Sequence, residues 1–261
     1  MCDSEAPNKA LNLSRQGVFF ESTFEEAKPI DKWMGQDKTS YKSIALSNDV
    51  ARQGKYAVRF EINKKDPLKS GGNRAELFLP QEDELKIERW YGMSIYLPKT
   101  YVTEPEPEIV AQWHVFPDKD LGEDWRSPPV ALITKNGRWI LAINWAKAPV
   151  NTNETIDGFK DIDLGLYSNN TWTDWVFQIR FSWQEDGLIN IWKNDTLVYT
   201  YAGPNAYNDK SGVFLKLGLY KWIWESPVPQ RIVYFDEIRI GSQDADYIDV
   251  KPGSHVTGMN P

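Results

Sequence analysis

Cysteine, histidine and long apolar runs are scarce in this chain. Its 261 residues include one cysteine, Cys2, and two histidines. A single cysteine excludes an internal disulfide, a CxxC redox motif and a cysteine-rich zinc site. Because His255 lies in a polar C-terminal stretch, His114 is the one imidazole that we expect to take part in chemistry. No segment approaches the roughly 18 consecutive apolar residues of a membrane-spanning helix, so we expect no transmembrane segment.

Positive charge is also scarce. The chain has 30 lysine and arginine residues against 37 aspartate and glutamate residues, which gives a net charge of −7 and a pI near 5.1. This balance excludes a general affinity for nucleic acid, which needs a basic surface. An acidic polymer can bind such a protein only where the binding cleft is locally basic.

Alternation of apolar and polar residues is the main secondary-structure signal. Residues 56–62 and 175–181 alternate with a period of two, and Asn136 and Gly137 between two apolar segments are typical of a hairpin turn. No stretch has the apolar stripe of a three-turn helix. The pattern predicts an all-β fold, a concanavalin-like β-jelly-roll sandwich with a concave substrate groove. We expect one domain over residues 17–250, between a flexible tether at 1–16 and a tail at 251–261.

Three strand-like segments place polar, reactive side chains on one face and apolar ones on the other. They are Asn-Arg-Ala-Glu-Leu at 73–77, Gln-Trp-His at 112–114 and Lys-Leu-Gly-Leu-Tyr-Lys at 216–221. Because successive side chains of a strand alternate faces, each segment puts two polar residues on one face. The pairs are Arg74 with Glu76, Gln112 with His114, and Lys216 with Tyr220. Each pair alone is equally consistent with solvation or packing, but the joint set can hold a carboxylate and move a proton.

β-Elimination at a uronic acid uses side chains of these types. The reaction neutralises the carboxylate next to C5, removes the C5 proton and protonates the departing glycosidic oxygen. Arg74 and Gln112 can donate hydrogen bonds to the carboxylate. His114, with an ordinary pKa of about 6.5, suits the base. Tyr220 suits the acid, and in some geometries one tyrosine serves as both base and acid.

The same segments resemble the motifs of jelly-roll polysaccharide lyases. They follow the order and spacing of the Arg-x-Glu-Leu, Gln-x-His and Lys-x-Gly-x-Tyr motifs of alginate lyases. The Gln-Trp-His form, the Pro117 after it and Tyr-Phe-Asp-Glu-Ile-Arg-Ile-Gly at 234–241 are most similar to the heparin lyase I and glucuronan lyase group, over about residues 18–242. The resemblance implies that Gln112 and Arg74 neutralise the substrate carboxylate and that His114 and Tyr220 are the proton-transfer pair.

The resemblance also implies further ligand contacts. The substrate-binding residues would be Lys216, Glu76, Asn73, Lys221 and Trp222, with Lys216 adding positive potential and Glu76 holding Arg74 in place. Members of this group often carry a structural calcium ion, although the chemistry requires no cofactor. By analogy Asp236, with Glu21 or Glu25, would supply calcium ligands, and calcium takes roughly six to eight oxygens.

The charge balance favours one class of substrate within this group. The chain is shorter than heparin lyase I enzymes and lacks a basic cluster of the heparin-binding kind, whereas heavily sulfated polymers demand many cations. We therefore expect an unsulfated polyuronate such as glucuronan, with alginate or a heparin or heparan-type glycan as alternatives.

The residues around Cys2, near the N-terminus, suggest where the protein is located in the cell. Cys2 is followed by a short polar stretch, as in mature bacterial lipoproteins, and the alternative is a stray thiol near a disordered end. The lipoprotein interpretation predicts a lipid anchor at Cys2 and a secreted, periplasmic or cell-surface location. We expect the protein to be a monomer.

Other functions that occur on a similar β-sandwich require different residues. A laminarinase-type hydrolase carries Glu-x-Asp-x-x-Glu on one strand, and no aspartate here has a glutamate two residues before it. A non-catalytic carbohydrate-binding module would use Trp113, Trp222 and Trp224 as sugar platforms. A surface adhesin or structural lipoprotein is a third alternative, because fold alone does not fix function.

Overall fold

The computed structural model describes residues 15–254, which form two antiparallel sheets packed face to face. The strands in this range are β1 (Val18–Ser22), β2 (Gly35–Lys38), β3 (Ile44–Ser47), β4 (Ala57–Asn63), β5 (Asn73–Phe78), β6 (Glu88–Leu97), β7 (Glu108–His114), β8 (Val130–Lys135), β9 (Arg138–Trp145), β10 (Gly158–Leu166), β11 (Thr171–Arg180), β12 (Leu188–Lys193), β13 (Thr196–Ala202), β14 (Phe214–Lys221) and β15 (Gln230–Gly241). Two 3-10 turns, Pro29–Lys32 and Lys119–Leu121, and one short helix, α1 (Tyr247–Val250), complete the described elements.

The strands divide into a seven-stranded and an eight-stranded sheet. The order in the seven-stranded sheet is β10-β9-β8-β7-β14-β5-β2. The other sheet follows β13-β12-β11-β6-β15-β4-β3, and β1 pairs with β15. Strands far apart in sequence, such as β5, β7 and β14, lie side by side in antiparallel pairs, as in a jelly roll. The predicted all-β sandwich is therefore confirmed.

Aromatic rings fill the space between the sheets. Trp113 of β7 packs edge-on against Tyr91 of β6 and Phe177 of β11, with ring centroids 5.2 Å and 5.0 Å away. Trp139 of β9 meets Trp175 of β11 in the same way at 5.4 Å. Such edge-to-face contacts are favoured between buried aromatic rings. Trp113, which a binding module would use as a sugar platform, is therefore a fully buried core residue.

Strands with one buried face are the ones that the alternation predicts. β4, β9 and β11 are examples, and Asn136 and Gly137 form the turn between β8 and β9 with φ angles of 51° and 77°. Positive φ at both positions is typical of an Asn-Gly hairpin. By contrast, β10 and β13 are edge strands whose side chains are mostly exposed. Their composition hides the period of two, so the pattern does not predict them.

The described residues just outside the predicted domain of 17–250 contact the sandwich. Arg15 donates to the Asp249 carbonyl at 2.9 Å, and the Gly253 N–H donates to Glu237 at 3.1 Å. Other predictions fall outside residues 15–254: the lipid anchor at Cys2, most of the tether at 1–16, and His255 with the rest of the tail. In the described part of the chain no helix is long and apolar enough to cross a membrane.

Candidate active site

A groove of about 780 Å³ lies on the outer face of the seven-stranded sheet. Strands β2, β5, β7 and β14 form its floor, and the loops before β5 and after β7 form its walls. The residues that line it are Asp37, Ser70, Arg74, Phe78, Ile109, Gln112, His114, Phe116, Asp124, Trp125, Arg126, Ser127, Pro128, Asn153, Phe214, Lys216, Tyr220 and Trp222. This volume is typical of ligand-binding sites.

Strand register brings the three predicted polar pairs onto one floor. β14 lies between β5 and β7, antiparallel to both. The facing residues are Tyr220 with Arg74, Lys216 with Gln112, and Phe214 with His114. Along β14, His114 therefore lies on one side of Lys216 and Tyr220 on the other. The five residues predicted to bind the carboxylate, transfer protons or supply positive charge all line this one groove. They are Arg74, Gln112, His114, Tyr220 and Lys216.

A β-bulge in the middle of the floor turns the side chain of Ile109 toward the groove. The register between β7 and β14 slips next to Gly218, whose φ is 139°. A Cβ at Gly218 would lie 2.0 Å from the Ala75 carbonyl oxygen, so another residue does not fit without backbone movement. The slip puts Ile109 opposite Tyr220 on the floor of the groove, a placement that strict alternation from Gln112 does not predict.

Glu76 joins the three central strands of the floor. Its carboxylate accepts a hydrogen bond from Arg74 Nη1 at 3.0 Å, pairs with Lys216 Nζ at 2.9 Å and accepts a hydrogen bond from the Gln112 amide. Glu76 is only 2% exposed, and shielding from water strengthens these contacts. The structure thus places Glu76 as the common partner of three groove residues, whereas the sequence predicted only its contact with Arg74.

Asp37 on β2 adds a second carboxylate. It pairs with Lys216 at 2.9 Å and with Lys69 at 2.8 Å, and it lies 3.9 Å from Arg74. Burial opposes its charge, but the hydrogen bond from Lys69 and the charge of Lys216 outweigh burial and lower the pKa of Asp37 to about 2. Three cations therefore meet two carboxylates, Asp37 and Glu76, and this cluster has a net charge of +1.

Arg74 is fixed in place but keeps donors for a ligand. Its Nε donates to the Lys69 carbonyl and its Nη2 to the Ser70 carbonyl, both at 3.2 Å, in addition to the bond to Glu76. A guanidinium has five N–H donors, so one on each Nη remains. Its central carbon also lies 3.8 Å from the centroid of the Tyr220 ring, a cation–π contact that orients the two side chains together.

His114 is a neutral imidazole in this groove. Burial lowers its pKa to about 3, the charges of Lys216, Arg74 and Arg126 act in the same direction, and the backbone contact with Val115 opposes them only in part. The His114 Nδ1 lies 2.8 Å from both the nitrogen and the carbonyl oxygen of Val115. In the tautomer whose Nδ1 donates to this carbonyl, Nε2 has a free lone pair and can accept a proton.

Besides Glu76, whose carboxylate is bound by its groove neighbours, two predicted substrate-binding residues do not line the groove. Lys221 is fully buried on the opposite face of β14, where its Nζ lies 3.3 Å from Glu104 and 3.2 Å from Glu106. Asn73 is also buried, and its amide donates to backbone carbonyls in the loop before β5. Each is the neighbour of a groove residue, so strand alternation turns it to the other face. The structure gives both residues internal contacts in place of the predicted contact with substrate.

Trp222, also predicted to bind substrate, does line the groove. Its ring lies 5.6 Å from that of Tyr220, and the residue is 39% exposed. Trp224, two residues on, is partly buried and donates its indole N–H to the Val228 carbonyl at 2.9 Å. Of the three tryptophans considered as sugar platforms, the groove therefore contains only Trp222.

The predicted calcium ligands are engaged by donors of the protein itself. Asp236 is buried and accepts hydrogen bonds from three backbone N–H groups. Glu21 accepts from Arg239 Nε at 2.7 Å, and Glu25 accepts from two backbone N–H groups. Backbone amides and a guanidinium already bind these carboxylate oxygens, which does not favour a calcium site at these residues.

The sequence did not reveal the wall of the groove beside His114. Phe116, Trp125 and Arg126 belong to the loop between β7 and β8, which has no strand alternation to read. Asp37 lies on a four-residue strand, and only its contacts with cations from β5 and β14 identify it. These residues reach the groove through contacts distant in sequence, which no local pattern encodes.

Comparison with known proteins gives this site a context. The polysaccharide lyase family model matches residues 26–239, and no curated protein sequence matches the chain. Among solved structures, an endo-β-1,4-glucuronan lyase from the fungus Trichoderma reesei superposes with a TM-score of 0.72 at 19% identity, over 85% of this chain and 95% of that one.

Two alginate lyases show the same fold at lower similarity. A family 7 alginate lyase in complex with substrate has a TM-score of 0.55 at 12% identity, covering 80% of this chain and 84% of that one. An alginate lyase from Pseudomonas aeruginosa has a TM-score of 0.52 at 15% identity, covering 78% and 88%. The match of the family model to most of the chain establishes that this protein belongs to the polysaccharide lyase family and is a polysaccharide lyase.

Proposed function

We propose that the protein cleaves an unsulfated polyuronate, such as glucuronan, by β-elimination. One observation carries this proposal: a cluster with a net charge of +1 lies beside a neutral histidine and a tyrosine on the floor of one groove. A single positive charge balances one uronate carboxylate. Sulfated sugars carry several charges, and the protein as a whole has a net charge of −7 that repels them.

Arg74 and Gln112 bind the substrate carboxylate in this proposal. Arg74 keeps one free N–H on each Nη, and Gln112 keeps one amide N–H after its bond to Glu76. Donors that are fixed and shielded from water stabilise the negative charge that moves onto the carboxylate as the C5 proton leaves. Lys216, held between Asp37 and Glu76, adds positive potential beside them.

His114 and Tyr220 carry the proton transfers. The C5–H bond breaks and its proton goes to the base, a double bond forms between C4 and C5, the C4–O4 bond breaks and O4 receives a proton. The lone pair on neutral His114 Nε2 suits the first transfer, and the Tyr220 hydroxyl suits the second. Exchange with solvent then returns both side chains to their starting states.

Two neighbours support this assignment. The solved glucuronan lyase superposes on 85% of this chain, which favours glucuronan as the first polymer to test. The alginate lyase solved with substrate carries substitutions of one histidine and one tyrosine. Alginate is therefore the second polymer to test.

Substitution of the proton-transfer pair tests the proposal. We expect His114→Ala and Tyr220→Phe each to lower kcat/KM at least ~100-fold on a polymer that the wild type cleaves, because each loses a proton-transfer step. Calorimetry should still detect polymer binding by both variants, and Tyr41→Phe, at an exposed tyrosine outside the groove, should match the wild type. If both groove variants keep wild-type turnover, the proposed site is wrong.

A further inference from the structure

Four aromatic rings surround one end of the groove. Phe214 stacks on His114 with centroids 5.9 Å apart, and Phe116 stacks on Phe214 at 4.6 Å. Trp125 closes the group, edge-on to His114 at 5.3 Å and to Phe116 at 5.6 Å. The group lies at the end of β7, so it extends the groove beyond His114 on the side away from Tyr220.

Two of these rings are open to solvent. Trp125 is 54% exposed and Phe116 is 43% exposed, although both line the groove. Adjacent exposed aromatic rings in a concave site leave apolar area uncovered, which is typical of a surface that contacts a ligand. An indole offers a flat apolar face with a polar edge, which matches the C–H face of a pyranose ring.

A buried ion cluster fixes the residue next to Trp125. Arg126 lies 2.9 Å from Glu123 and 2.5 Å from Asp209, and all three side chains are at most 1% exposed. The Arg126 guanidinium also stacks 4.1 Å above the Tyr207 ring. We call Arg126, Glu123 and Asp209 the loop clamp, because Asp209 belongs to the distant segment before β14.

Further contacts fix the backbone on both sides of Trp125. The Tyr207 hydroxyl donates to the Ser127 carbonyl at 3.0 Å. Asp118 accepts from the Lys210 N–H at 3.1 Å, earlier in the same loop. A loop tied down at these points holds its exposed indole in one place, and a ligand that stacks on a fixed ring loses less entropy on binding.

We propose that Trp125 is a sugar-stacking residue in a subsite beyond His114, and that the loop clamp is what positions it. The inference rests on the proposed function, since the ring that stacks is a pyranose of the polyuronate beyond the two sugars that the cleaved linkage joins. Trp125 thus contributes to substrate affinity and to the preference for longer chains. Asp209, which makes no contact with substrate, acts only through the loop.

The first test measures the dependence of the reaction on chain length. We expect Trp125→Ala to raise KM about fivefold on long oligouronates with little change in kcat, and Trp125→Phe to restore most of the affinity. On the shortest oligomer that the wild type cleaves, the two proteins should converge, because that oligomer does not reach the subsite. Phe19→Ala, at a 58% exposed ring on the other sheet, is the matched control and should leave KM unchanged.

The second test measures coupling between the clamp and the indole. Asp209→Ala should raise KM on long oligomers as Trp125→Ala does, while Asp209→Asn, which keeps the acceptor for Arg126, should stay near the wild type. In the double variant Trp125→Ala with Asp209→Ala, KM should equal that of Trp125→Ala alone. Thermal unfolding of each variant shows whether a loss of affinity reflects a loss of folded protein.

The outcomes separate this inference from the proposed function. A wild-type KM for Trp125→Ala on long oligomers overturns the stacking role, and additive effects in the double variant overturn the positioning role. If no polyuronate gives an unsaturated product, the proposed elimination fails. Calorimetric affinities of the same oligouronates for wild type and Trp125→Ala then still decide whether Trp125 binds sugar.

Discussion

Glu76 is the residue on which the charge balance of the groove depends. We expect Glu76→Gln to lower kcat/KM about 100-fold, because Arg74, Gln112 and Lys216 lose the carboxylate that sets their positions. The free energy of unfolding should fall by about 3 kcal/mol, because buried cations lose a partner. Initial rates and urea unfolding measure the two effects, with the exposed Glu225→Gln as control. Unchanged values for both would contradict the central role of Glu76.

The protonation state of His114 sets how kcat/KM depends on pH. A base acts only when unprotonated, and the lowered pKa of about 3 keeps His114 neutral where an ordinary histidine, with a pKa of about 6.5, takes up a proton. We therefore expect kcat/KM to stay level as pH falls from about 8 to about 5, and to decline only as pH approaches the folded-state pKa. An acidic limb centred near the ordinary histidine value would show that His114 is not held neutral.

For individual residues, the sequence predicted which side chains are reactive but not which residues they contact. Alternation within each segment, together with the predicted sandwich, predicted that Arg74, Gln112, His114 and Tyr220 would line one groove, and the structure places all four there. It did not predict that Glu76 is shared by three strands or that Asp37 completes the cluster. Those contacts depend on the order of strands across the sheet, which the local pattern does not contain.

Strand β14 carries two lysines with opposite surroundings. Lys216 faces the groove, whereas Lys221 is buried below the sheet with Glu104 and Glu106. We expect Lys216→Met to lower kcat/KM at least about tenfold, because substrate loses positive potential. Lys221→Met should keep kcat and KM while lowering the free energy of unfolding by about 3 kcal/mol, because it removes the buried cation that pairs with both Glu104 and Glu106.

Steady-state kinetics and denaturant unfolding of this pair test the assignment of faces along β14. A raised KM in the folded Lys221→Met variant would support the original prediction that Lys221 contacts substrate. The same alternation that identified Lys216 and Tyr220 also places Lys221 and Asn73 on the other face. We predicted that those two residues contact substrate because they belong to the motifs. Because side chains alternate along a strand, both point away from the groove.

At the scale of the whole molecule, alternation predicted the architecture and composition predicted the charge of the groove. The alternating strands and the lack of a helical stripe predicted the sandwich, and the sheet order confirms it. Edge strands β10 and β13 and the loop between β7 and β8 were not predicted, because their residues reach solvent on both sides or fold through distant contacts. The acidic composition predicted a locally basic groove, and the cluster around Glu76 provides one.

Ultraviolet absorbance of the wild-type protein mixed with glucuronan, alginate, pectate, heparan sulfate or heparin shows whether it acts by β-elimination, and on which polymer. Only β-elimination creates the conjugated 4,5-unsaturated uronate that absorbs there. We expect absorbance to rise with an unsulfated polyuronate, glucuronan first, and kcat/KM to be at least ~100-fold lower on heparin, since a net charge of +1 cannot balance its sulfates. New reducing ends without absorbance, or a rise with heparin alone, would contradict this expectation.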